Sequence, residues 1–194
     1  IEQGVDGWRL DVPNEIDDDA FWAEFRTTIK QVNSEALLIG EIWEVQPRWL
    51  GDGHFDSLMN YPFRTAILEF LQWGKNGAQT AEAIGRALSA YPQENLFALY
   101  NLLGSHDTER IKTLLADKPA ALKLAYLLQF ALPGAPAVYY GDEIGLEGGK
   151  DPDCRRTFPW DGRKWDNGLR DWVKTLIGAR KLQPALRRGR LDFL

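Results

Sequence analysis

Short apolar runs alternate with longer amphipathic ones along almost the whole chain, and this alternation limits the fold more than any other feature. Five runs have the length and the β-branched or aromatic content of strands: residues 5–10, 36–39, 55–59, 96–103 and 137–140. Helical patterns lie between them. In residues 17–33, Phe21, Phe25, Ile29 and Val32 recur at helical spacing, and Asp17–Asp19 suit the positive end of a helix. Residues 63–74 form a second pattern closed by Gly74. A third opens at Thr80, carries Ile84, Ala87, Leu88 and Tyr91 on one side, and stops before Pro92. Residues 119–132 are a mostly apolar fourth, and 168–183 a fifth that ends before Pro184. This β-α-β-α order predicts an α/β fold, a parallel sheet with helices packed on it. The 194 residues suffice for one large core. The Gly- and Asp-rich stretch 141–168 is the longest loop, and "GKNGAQT" (74–80) reads as a plain loop.

Composition narrows the partners. Hydrophobic residues at 44% and charged residues at 26% fit a folded rather than a disordered chain. A net charge of −5 argues against nucleic acid, which calls for clustered Lys and Arg. The longest apolar run is broken by Lys123 and Gln129 and stops at Pro133, so no membrane span is expected. The single cysteine, Cys154, cannot pair internally and leaves the compartment open. Zinc spacings such as HExxH and CxxC are absent, as are the GxSxG elbow and the P-loop.

In parallel α/β folds chemistry gathers at the C-terminal ends of strands. The carboxylates that follow apolar runs are Asp11, Glu41, Asp107 and the Asp142–Glu143 pair; Asp56 lies inside a run. Converging carboxylates can ligate a hard cation, cap helices, or serve as the two acids of a glycosidase. "GVDGWRLDV" (4–12) favours the last use for Asp11. Arg9 and Asp11, two apart on a strand, share a face at about 7 Å spacing, and a neighbouring cation keeps a carboxylate ionised, as a nucleophile requires. Asp142 and Glu143 are assigned to closing a loop, and His54 to the surface.

These residues bring a family into view. "DGWRLDVPNE", "LIGEIW" and "NLLGSHDTER" resemble three short motifs of the α-amylase superfamily, in the same order and at strand ends. "GAPAVYYGDEIGLEGG" followed by "DPDCRRTFPW" resembles its eighth-strand region. The resemblance implies a (β/α)8 TIM barrel, of which this chain holds a part, strands four to eight with their helices. It makes Asp11 the nucleophile with Arg9 its partner, Glu41 the general acid/base, Asp107 the third carboxylate on the sugar hydroxyls, and His106 a substrate ligand. A retaining enzyme needs two carboxyls about 5–5.5 Å apart, one ionised and one able to protonate the leaving oxygen.

Asn14 and Glu15 after the nucleophile, "MNYPF" (59–63) and "GGKDPDCR" (148–155) resemble the neopullulanase, cyclomaltodextrinase and maltogenic amylase group, with Pro13 where those members usually carry Ala. That resemblance places Asn14, Glu15 and Trp43 on the leaving-group side, and Asp151 and Arg155 on the sugar beyond the cleaved bond. The implied activity is retaining hydrolysis of α-1,4-glucosidic bonds in α-glucan oligosaccharides; transglycosylation or branching, and a non-catalytic glucan-binding piece, are the alternatives. No cofactor is required, and calcium is the metal that an acidic rim admits. The third-strand motif Asp-x-x-x-x-Asn-His is absent and the chain opens on Ile1, so a trimmed enzyme is expected: 1–188 the C-terminal part of the barrel, 189–194 the start of a further β domain. An open sheet has unpaired edges, so the isolated piece is expected to self-associate, as a homo-oligomer or by aggregation.

Overall fold

A computed structural model describes residues 1–193. Five short parallel strands order the chain: β1 (Gly7–Leu10), β2 (Leu37–Gly40), β3 (Ser57–Leu58), β4 (Tyr100–Leu102) and β5 (Ala135–Ala137). β1, β2 and β3 form one sheet and β4 and β5 a second, and an isolated parallel bridge from Met59 to Tyr100 joins them into one arc. The helices are α1 (Asp19–Val32), α2 (Tyr61–Leu71), α3 (Gly77–Ala90), α4 (Gln93–Leu96), α5 (Ile111–Leu114), α6 (Pro119–Ala131), α7 (Asn167–Leu182) and α8 (Ala185–Arg188).

The strands are shorter than expected, and two are displaced. Val5 is exposed and precedes β1 rather than starting it. Leu96 ends α4, so the fourth strand begins only at Tyr100. The fifth strand lies at Ala135–Ala137 instead of 137–140. The ladder ends at Ala137, which is paired with Leu102. Beyond it the Tyr140 carbonyl accepts from the Arg110 guanidinium and leaves the sheet direction. Pro136 is tolerated because β5 has a paired neighbour on one side only.

Helix starts follow local capping. The Asp18 carboxylate accepts from the Ala20 and Phe21 amides and opens α1. α3 starts at Gly77, three residues before Thr80, because the Asn76 side chain accepts from the Gln79 amide while the Gln79 side chain accepts from the Asn76 amide. The stretch 74–80 is therefore partly helix, not a plain loop.

Period-2 alternation sorts the strand side chains. Leu38 points outward into a core of Trp22, Trp49, Phe55 and Leu99 beneath α1. Arg9 and its register partner Ile39 face inward and line a cavity with Met59 and Tyr100. A second core joins α2, α6 and α7 through Ile67, Leu115, Tyr126 and Val173. Gly40 is where only a bare backbone fits, since a Cβ there would lie 2.6 Å from the Phe55 ring. Asp56 is structural: it pairs with Arg26 at 2.8 Å and Lys30 at 2.9 Å and accepts from the Leu38 amide. Burial pushes its carboxyl up, but those three donors outweigh it and leave it lowered. His54 is not a free surface residue; it is half-buried, edge-on to Trp49 and 3.0 Å from Asp19. Residues 189–193 form no strand, and Leu194 lies outside the described residues.

Candidate active site

β1 ends at Leu10, so Asp11 stands just past the ladder with its side chain 76% exposed. Arg9, inside the arc, reaches up to it, Nη1 lying 2.5 Å from Asp11 Oδ1. Glu41 follows the last residue of β2 in the same way. Its amide donates to the Leu10 carbonyl at 3.0 Å, which fixes its height beside Asp11. Its side chain is only 3% exposed, and Arg9 Nη2 sits 2.7 Å from its Oε1 as an ion pair without hydrogen-bond alignment. One guanidinium therefore faces both carboxylates. The other Glu41 oxygen, Oε2, accepts from the Val12 amide at 3.1 Å.

The third carboxylate arrives through a polar chain. Tyr61, the first residue of α2, places its hydroxyl 3.5 Å from Glu41 Oε1 and 3.2 Å from Ser105 Oγ. Ser105 Oγ in turn accepts from the Asp107 amide at 3.2 Å. Burial pushes the Tyr61 phenol up to about 12, so it keeps its proton and stays a donor. The Asp107 carboxylate is 3.0 Å from His106 Nε2 and 3.1 Å from Arg155 Nη2. Arg155 also pairs with Asp151 at 2.5 Å and donates to the His106 carbonyl.

Trp43 is 45% exposed and lies flat on Tyr61, ring centroids 3.7 Å apart and planes 10° off parallel. Asn14 and Glu15 occupy a single 3-10 turn right after Val12, both exposed. Beneath the carboxylates a cavity of about 310 Å3 is lined by Arg9, Tyr100, Ser105, His106, Tyr139 and Tyr140 among others.

The residues expected from the sequence thus fall into two linked groups. Arg9, Asp11 and Glu41 meet directly; Asp107, His106, Asp151 and Arg155 form a cluster connected to them by Tyr61 and Ser105. Trp43 joins through its stack on Tyr61, while Asn14 and Glu15 adjoin through chain neighbours alone. Asp142 serves structure: it is buried and paired at 2.9 Å with the fully buried Arg110, whose Nε donates to the Cys154 carbonyl and so ties the loop bearing Asp107 to the loop bearing Arg155. Sequence reasoning passed over Val12, Tyr61, Ser105 and Arg110. Tyr61 was in plain view within "MNYPF". Among the described residues no group of three or more His, Cys, Asp or Glu side chains is arranged to hold a metal ion.

The chain is similar to known proteins over nearly its whole length. The family described as "Alpha amylase, catalytic domain" matches residues 1–181. The chain is 46% identical over 190 residues to neopullulanase 2 of Thermoactinomyces vulgaris, covering 97% of this chain and 32% of that protein. It is 43% identical over 194 residues to a cyclomaltodextrinase of a Bacillus species, covering 100% of this chain and 35% of that protein. Among solved structures, the ligand-free cyclic α-maltosyl-(1→6)-maltose hydrolase of Arthrobacter globiformis superposes with a TM-score of 0.94 at 42% identity, over 98% of this chain and 44% of that one. A debranching enzyme of Nostoc punctiforme, soaked with acarbose, gives 0.89 at 39% identity, over 96% and 42%. The chain spans about a third of the length of the curated relatives it matches, and its arc of strands is part of a (β/α)8 barrel. It belongs to the α-amylase catalytic-domain family.

Proposed function

We propose that this chain carries the reacting carboxylates of a retaining α-glucan hydrolase, as strands four to eight of its barrel, with residues 1–188 in the catalytic domain. The observation that supports this best is the sharing of Arg9 between Asp11 and Glu41, at 2.5 and 2.7 Å. A common guanidinium keeps the facing oxygens close, compatible with the roughly 5–5.5 Å of a retaining pair. Asp11, exposed and paired, attacks the anomeric carbon. Glu41, buried and held by donors, protonates the departing oxygen and then takes a proton from water. Asp107 with His106 grips the hydroxyls of the reacting ring, where hydrogen bonds tighten as the oxocarbenium develops. Asp151 and Arg155 hold the sugar on the non-reducing side, and Trp43 with Asn14 and Glu15 receives the leaving part.

The relatives' names point to pullulan and cyclomaltodextrins as the substrate class. Transfer to an acceptor sugar is the second reading, favoured by the flat Trp43–Tyr61 pair beside Glu41, a stacking surface for an acceptor ring. The test is NMR of the first product formed by the protein at its natural length. An α-anomer supports retention and a β-anomer contradicts it. Added maltose diverts product into longer chains under the transfer reading and leaves the product ratio unchanged under pure hydrolysis.

A further inference from the structure

We infer that Val12 is a positioning residue: its amide, held at a left-handed turn just past β1, fixes Glu41 Oε2 and thereby couples the acid/base to the nucleophile next to it in the chain. The inference rests on the retaining reading above and deepens it. Val12 has φ 30° and ψ 56°, and no other non-glycine residue among those described has a positive φ. Its sequence makes this conformation costly twice over. Valine is β-branched, and the following residue, Pro13, pushes its predecessor toward extended backbone. Such strain persists only where the surroundings enforce it. Three contacts enforce it here. Pro13 is buried, the Glu15 amide closes the turn onto the Val12 carbonyl at 3.0 Å, and the Val12 amide meets Glu41 Oε2 at 3.1 Å.

The left-handed turn has a consequence for both acids. An extended Val12 would carry the chain onward past β1, whereas the left-handed turn folds residues 13–15 back and leaves the Val12 amide, which faces the β2 end, to the Glu41 side chain. Asp11 then projects into the opening while the next amide holds Glu41. With Arg9 and Tyr61 on Oε1 and Val12 on Oε2, both Glu41 oxygens are fixed. Preorganised donors of this kind cost no rearrangement when charge develops. In the first step an Asp11 oxygen forms a bond to the anomeric carbon, the glycosidic C–O bond breaks, and its electron pair takes the proton from Glu41. The carboxylate left on Glu41 is the species that the Val12 amide stabilises.

The direct test removes that amide and nothing else. An α-hydroxyisovaleryl unit in place of Val12 turns the Asp11–Val12 amide into an ester in the protein at its natural length. Two substrates are compared, maltotriose and α-maltosyl fluoride. In the fluoride the C–F bond breaks to release fluoride ion with no proton from Glu41. The inference predicts that the ester lowers kcat/KM on maltotriose by about 10- to 100-fold, the range for a lost hydrogen bond to a charged group. Loss on the fluoride stays within about threefold, because that step needs no acid. Equal losses on the two substrates, or no loss on either, overturn it. If the unmodified protein cleaves neither substrate, the glycosidase reading itself fails and takes the inference with it.

Discussion

At the scale of single residues, the site depends on side chains and amides that serve two masters. Arg9 faces Asp11 and Glu41 at once, and the Val12 amide holds the latter from a strained left-handed turn. The strain at Val12 is measurable apart from catalysis. In an ordinary extended or helical position an alanine is more stable than a glycine; at a left-handed one the order reverses. Val12→Gly is therefore expected to be more stable than Val12→Ala by about 1 kcal/mol in denaturant unfolding. The opposite order would show that the turn is relaxed. Asp142 makes a second residue-level prediction. Burial raises its carboxyl to about 7, against the downward pull of Arg110. The unfolded chain releases this proton near pH 4, so between about pH 4 and 7 the folded state binds more protons and stability falls as pH rises. Asp142→Asn should flatten that part of the stability–pH curve, and an unchanged slope would place the titration elsewhere.

At the scale of elements, capping decides where helices begin. Asn76 and Gln79 close a reciprocal capping box on α3 in exposed surroundings. Asn76→Ala should cost about 1 kcal/mol in thermal or denaturant unfolding, with little change at the site; a loss near zero would mean that tertiary packing alone holds the helix. The same element shows what the sequence disclosed. The N-x-x-Q signature was readable, but the glycines beside it made the stretch look like loop. Strand existence and order were legible because apolar runs and helical periodicity are local properties. Strand ends were not. Val138 to Tyr140 have strand-like side chains, yet the ladder stops at Ala137, and Arg110, distant in sequence, takes the Tyr140 carbonyl. The site divides along the same line. Arg9, Asp11, Glu41 and Asp107 announce themselves as charges at the ends of apolar runs. Tyr61 and Ser105 matter through contacts spanning 20 and 44 residues, which no local pattern carries.

At the scale of the whole molecule, the arc of strands is open. β1 has a strand partner on one side, as does β5, and Trp8 and Val138 lie exposed near those edges. Unpaired edges beside apolar surface are templates for another chain. These 194 residues expressed alone should therefore self-associate with rising concentration in sedimentation velocity, whereas a single monomeric species across the series would contradict this. No helix among the described residues is long and apolar enough to cross a membrane. The central claim, that Asp11 is the nucleophile at an opening shared with Glu41 and Asp107, is tested most directly by trapping the covalent intermediate. The protein at its natural length is incubated with 5-fluoro-α-maltosyl fluoride, digested and mapped by mass spectrometry. The account predicts the sugar adduct on Asp11; an adduct on another carboxylate, or turnover with no covalent adduct and a β-anomeric product, would contradict it.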